Sequence, residues 1–123
     1  MTRWGIWTLF VIAWTVALEA PVPIAEPQPD AITEMTFRRF FAKSVHVVVY
    51  AVFTVLSAWP RLPIRYRWLM MIFLMLHAIV TEVLQYLLHD WCGRGGNVWD
   101  VALDWVGILA GFLIAWKWWM RTD

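Results

Sequence analysis

Cysteine, glycine and charge are all scarce in this 123-residue chain, and each scarcity excludes something. A single cysteine, Cys92, cannot form an intramolecular disulfide, so no disulfide scaffold is possible. Six glycines and 6 prolines are too few for a collagen-like or low-complexity chain. With 10 Lys and Arg against 9 Asp and Glu, the net charge of +1 lacks the basic excess of a nucleic-acid binder. Charged residues reach only 15%, against ~25% in a soluble domain. What fills their place is apolar: hydrophobic residues make up 62%, including 11 Trp. A chain this small has more surface than core, so folding alone cannot hide such a surplus from water. Tryptophan favours the membrane–water boundary. The composition therefore predicts a membrane protein of one domain.

Four apolar stretches stand between charged or Pro-rich breaks, over about 4–20, 40–59, 68–88 and 98–119. Each approaches the ~20 residues that a helix needs to cross a bilayer. Backbone groups in lipid must bond within their own segment, so these stretches are expected to be helices. Trp4, Trp7, Trp59, Trp68, Trp91, Trp99, Trp116, Trp118 and Trp119 fall at segment ends, as an aromatic belt requires. The expected fold is all-α, with four transmembrane helices in a single domain. The first stretch has a second reading, a signal peptide ending at Leu18-Glu19-Ala20, but Glu19 makes a poor cleavage site. Between 21 and 30, Pro21, Pro23, Pro27 and Pro29 predict an extended strap outside the cytoplasm. Beyond it, Ile32, Met35, Phe37, Phe40 and Phe41 around Arg38 and Arg39 suggest a short interfacial helix.

Orientation follows from the placement of Lys and Arg. Arg3, Arg61, Arg65, Arg67, Lys117 and Arg121 fall on one side, and Arg38, Arg39, Lys43 and Arg94 on the other. This modest bias puts both termini in the cytoplasm and predicts a multi-pass protein of the plasma (inner) membrane.

Ionisable residues interrupt the apolar stretches. A charge at the bilayer centre costs ~2.5–3.5 kcal/mol on insertion scales, so a mere anchor would avoid them. Lys43, His46 and Tyr50 are spaced i, i+3, i+7, which is one helix face. Glu82, Gln85 and His89 repeat that spacing, and Asp100, Asp104, Gly107 and Gly111 run i, i+4, i+7, i+11. With alternating spans, all three stripes reach the same membrane face, the outer one by the charge bias. Blander roles stand beside this. Asn97 suits the N-cap of the last span, with Asp100 at N3. Gly107 and Gly111 suit a helix-packing notch. His77 points away from Glu82 on the helical wheel and suits a structural hydrogen bond. Lys43 suits an interfacial anchor, or a structural ion pair with Glu82 or Asp104.

The run Lys43-Ser-Val-His46-Val-Val-Val-Tyr50 resembles the K-x-x-H-x-x-x-Y signature of the VanZ-like membrane proteins. Glu82-Val-Leu-Gln85 resembles their E-x-x-Q, and Gly93-Arg94 followed by Asp100, Asp104 and Gly107 resembles their GR…D-x-x-x-N-x-x-G block. The resemblance covers roughly 40–113 in the family's order. At position 104 this chain has Asp where the family pattern usually has Asn. The resemblance implies a small membrane protein of the bacterial cell envelope and a link to glycopeptide (teicoplanin-type) antibiotic resistance.

Two functional readings follow. In the first, an outward-facing polar pocket of Lys43, His46, Tyr50, Glu82, Gln85, Arg94, Asp100 and Asp104 binds a lipid or lipid-linked envelope component. Lys43 and Arg94 would hold an anionic head group, oriented by the carboxylates. In the second, the protein is an intramembrane hydrolase or transferase acting on such a lipid. His46 would be its general base, oriented by Glu82 or Asp100. A variant of the second places a divalent cation among His46, Glu82, Asp100 and Asp104, an oxygen-rich set that suits Mg²⁺ or Mn²⁺ better than Zn²⁺. No spacing dedicated to a metal, no nucleotide loop and no obvious Ser or Cys nucleophile accompanies these residues, so neither a cofactor nor a reaction follows from the sequence.

Overall fold

The computed structural model describes residues 2–20, 31–60, 62–92 and 96–121, apart from the side chains of 31–36 and of Cys92. The strap expected over 21–30 and the candidate Arg94 lie outside the described residues. Within them the chain is helical and contains no strand. Four long helices, α1 (Arg3–Glu19), α2 (Ala31–Ser57), α3 (Ile64–Leu87) and α5 (Val98–Ile114), are accompanied by two single-turn helices, α4 (His89–Cys92) after α3 and α6 (Trp116–Trp119) after α5.

Local chemistry sets the helix ends. Thr2 caps α1 by accepting the amide of Gly5 at 3.2 Å. No Gly or Pro interrupts 31–57, so the interfacial helix expected near 32–41 is not separate but runs straight into α2. Pro60 and Pro63 part α2 from α3. Asn97 caps α5 through its side chain, which accepts the amide of Trp99 at 3.0 Å, and puts Asp100 in the first turn. The last expected span is offset at Ala115, and past this offset the indole of Trp119 donates to the Thr54 carbonyl at 3.0 Å. Trp119 is therefore a buried core residue rather than part of an aromatic belt. Trp4, Trp59, Trp68, Trp91, Trp99, Trp116 and Trp118 remain exposed.

The closest packing is between α2 and α5. A Cβ at Gly107 would meet the Val47 carbonyl, and one at Gly111 would meet the Ala51 carbonyl and the Thr54 side chain. The two helices approach to backbone contact along this notch, as small residues permit in helix pairs of membrane proteins. One apolar cluster, Val11, Tyr50, Phe53, Leu74, Ala78 and Ile108, joins all four long helices, and Phe112, Ala115 and Trp119 form a second.

Some polar groups inside the bundle are paired across helices. Thr15 Oγ1 donates to the Val11 carbonyl at 2.8 Å and lies 2.8 Å from His77 Nε2. With its one proton used, Thr15 must accept from Nε2–H. That leaves Nδ1 to accept the Tyr50 hydroxyl at 2.9 Å. His77 thus ties α1 to α2 in the structural role expected of it. Arg67 is buried as well, although it falls between the second and third stretches expected to span. It donates to the carbonyls of Leu62, Trp118, Trp119 and Arg121 at 2.7–2.9 Å and so clamps the end of the chain onto α3.

The exterior is the apolar part. Leu9, Ile12, Val16, Val48, Leu69, Ile72, Leu76, Val80, Leu109 and Leu113 are exposed, whereas Thr54, Ser57, Thr81, Glu82, Gln85 and Asp104 are buried. This inverts the distribution of a soluble protein and suits a lipid surrounding. Phe37–Ser57 and Ile64–Leu87 are each long and apolar enough to cross a membrane.

Candidate functional site

Polar residues of α2, α3 and α5 meet at one end of the bundle. His46 on α2 donates from Nδ1 to Asp104 Oδ1 on α5 at 3.0 Å. The contact is possible because the glycine notch one and two turns further along α5 draws that helix against α2. Asp104 is fully buried and the His46 side chain is 13% exposed. Trp14 of α1 covers the imidazole edge-on, with ring centroids 5.5 Å apart.

Glu82 on α3 is 5% exposed. Its Oε2 accepts the backbone amide of Asn97 at 2.8 Å. The loop reaches α3 because Gly96 lies against it: a Cβ at Gly96 would strike the Glu82 carbonyl and come within 2.9 Å of the Tyr86 side chain. The two remaining carboxylate oxygens, Glu82 Oε1 and Asp104 Oδ2, are buried and have no hydrogen-bond partner among the described residues. One donor atom each of His46, Glu82 and Asp104 lies within 4.8 Å of the others.

At the rim, Lys43 Nζ lies 3.8 Å from Asp100 Oδ1, with the two side chains 46% and 23% exposed. Lys43 therefore faces neither Glu82 nor Asp104, the ion-pair partners considered from the sequence. Asp100 sits one turn nearer the start of α5 than Asp104, where a half-exposed lysine can meet it without leaving water.

The other expected site residues are placed differently. The Tyr50 hydroxyl is engaged with His77, so this residue belongs to the core network. Gln85 is buried beyond Glu82 and donates to the Leu18 carbonyl of α1 at 3.4 Å. His89 falls after the end of α3, on α4, and is exposed, so it does not continue the stripe of Glu82 and Gln85. The structure thus gathers His46, Glu82 and Asp104 in a buried cluster with Lys43 and Asp100 above it. Asn97 contributes a backbone amide that side-chain spacing alone does not reveal.

A helical bundle with an apolar exterior and a charged cluster at one end is a membrane protein by its fold and its site. The family model of VanZ/LLP1 matches residues 5–120, and the chain belongs to that family. No curated protein and no solved structure matches it.

Proposed function

We propose that the chain is a four-span protein of the bacterial plasma membrane whose polar cluster opens toward the envelope side and binds a lipid or lipid-linked envelope component. The observation that carries this reading is the gradient from rim to interior. Lys43 is half exposed above Asp100, and below them His46 is largely enclosed and Glu82 and Asp104 are buried, with carboxylate oxygens still unpartnered. Such groups are expensive within a membrane, and a bundle needing only to hold together would replace them with apolar residues. Lys43 supplies charge to an anionic head group, with Arg94 as its expected companion, while the buried groups receive the uncharged polar part. Family membership supports the envelope setting and a link to resistance against teicoplanin-type glycopeptides.

The spacing of His46 and Asp104 favours a second reading, an intramembrane hydrolase or transferase. A carboxylate 3.0 Å from Nδ1 orients the imidazole and leaves Nε2 as a base. One experiment separates the two. Mass spectrometry of envelope lipids is run on cells carrying the wild type, Lys43→Met or His46→Ala, together with the lipids that co-purify with each protein. A binder loses its co-purifying lipid in Lys43→Met without any change in lipid products. An enzyme loses a product in His46→Ala. Unchanged lipids in both fractions, together with unchanged teicoplanin sensitivity in cells that the wild type protects, would refute the pocket.

A further inference from the structure

We propose that His46, Glu82 and Asp104 form a binding site for one divalent transition cation, of the Mn²⁺ or Zn²⁺ type. The inference goes beyond the lipid reading of the same cluster and does not depend on it.

Three observations point to a cation. First, the donors come from three different helices, α2, α3 and α5, yet one atom of each lies within 4.8 Å of the others. Donors on one ion at ~2.1 Å stand about 3–4 Å apart, so closure around a cation requires a shift of only about an ångström. Secondly, Glu82 Oε1 and Asp104 Oδ2 are unpartnered, on side chains 5% and 0% exposed. Buried carboxylate oxygens are ordinarily satisfied by a donor or by a metal. Thirdly, the nearby lysine is engaged elsewhere: Lys43 meets Asp100 at the rim, leaving the acidic groups below it facing the imidazole.

The surroundings also suit a metal. The second oxygen of Glu82 is fixed by the Asn97 amide, and Trp14 shields the imidazole, so the donors are oriented and partly screened from water. The spacing of 3.0 Å between His46 Nδ1 and Asp104 Oδ1 equals that of two adjacent ligands on one ion. A cation can therefore replace this hydrogen bond at Nδ1, with the imidazole proton carried on Nε2 instead. An imidazole beside two carboxylates suits Mn²⁺ or Zn²⁺ better than Mg²⁺, which prefers oxygen alone. With Glu82 and Asp104 the site holds two carboxylates beside one imidazole.

The test uses the full chain in lipid-free detergent micelles, stripped with a chelator and titrated with Mn²⁺ followed by electron paramagnetic resonance, then with Zn²⁺ in competition. The wild type is expected to bind one ion per chain. Glu82→Gln and Asp104→Asn, which keep side-chain size, should each weaken binding by more than about tenfold, at least what loss of a supporting residue costs a metal site. Asp100→Asn should weaken it by no more than about threefold, as suits a partly exposed charge outside the site. The thermal midpoint should rise with the ion in the wild type and not in the two weakened variants. If a variant loses its helical signal, the wild-type titration decides alone. A folded wild type that binds neither ion at millimolar concentration, or variants that bind as tightly as the wild type, would overturn the proposal. Because lipid is absent throughout, such a failure leaves the lipid reading standing, and a cation bound without any lipid partner in cells would refute only the latter.

Discussion

Glu82 on α3 holds the backbone amide of Asn97, the residue that caps α5, at 2.8 Å. One carboxylate oxygen thereby secures the start of the helix that carries Asp100 and Asp104, while the other is buried without a partner. Glu82→Gln retains a carbonyl oxygen able to accept the same amide, whereas Glu82→Leu does not. We expect Glu82→Leu to lower stability by about 1–3 kcal/mol more than Glu82→Gln, the penalty for stranding a buried polar group. Thermal unfolding of both variants in micelles, followed by circular dichroism, checks the difference. Equal losses would mean that the amide contact contributes nothing.

The two charged contacts of the cluster should behave differently in double-mutant cycles. His46 and Asp104 meet in the interior, so removing either leaves its partner buried and uncompensated, and the cycle of His46→Ala with Asp104→Ala should give a coupling well above 1 kcal/mol. Lys43 and Asp100 meet at the rim at 3.8 Å, too long for a hydrogen bond and with the lysine half in water, and Lys43→Met with Asp100→Asn should couple by about 1 kcal/mol or less. Denaturation midpoints for each set of four proteins provide the comparison.

Much of this arrangement is legible in the sequence, and the exceptions share a physical cause. The helical segments follow from apolar run length and, between α2 and α3, from Pro60 and Pro63. The Asn97 cap, the Gly107 and Gly111 notch and the structural use of His77 follow from spacing along a single helix. Partner choice across helices does not, because it depends on the axial rotation and depth of each helix. Lys43 meets Asp100 rather than Glu82 for that reason. Arg67 reads as a loop cation because nothing in its own neighbourhood shows that the carbonyls at the chain's end fold back onto it. The Glu82–Asn97 contact depends on how closely the loop at Gly96 approaches α3, which residue spacing does not encode.

Tyr50 offers a test of where the site ends. Its hydroxyl completes the chain Tyr50–His77–Thr15 and is fully buried. Tyr50→Phe strands His77 Nδ1 and should cost about 1–3 kcal/mol of stability. At temperatures where the variant stays folded, the lipid recovered with it should match the wild type. A selective loss of lipid without loss of stability would return Tyr50 to the binding surface.

The glycine notch should tolerate little. Gly107→Ala and Gly111→Ala each press a methyl against a backbone carbonyl of α2, which must move away, at an expected cost of about 1–3 kcal/mol. At Gly5 the nearest atom to an added Cβ is Thr2 Oγ1 at 3.5 Å, ordinary contact, so Gly5→Ala should be close to neutral. Because Gly107 also brings α5 near His46, its substitution should weaken the His46–Asp104 coupling expected above.

The central claim, that the charged cluster faces the envelope rather than the cytoplasm, is tested most directly at Cys92. It is the chain's single cysteine and lies on α4, between Glu82 and the start of α5. A membrane-impermeant maleimide applied to intact spheroplasts should label it, to the same extent as after lysis. Labelling that requires lysis would put this end of the bundle in the cytoplasm and contradict an envelope-facing site.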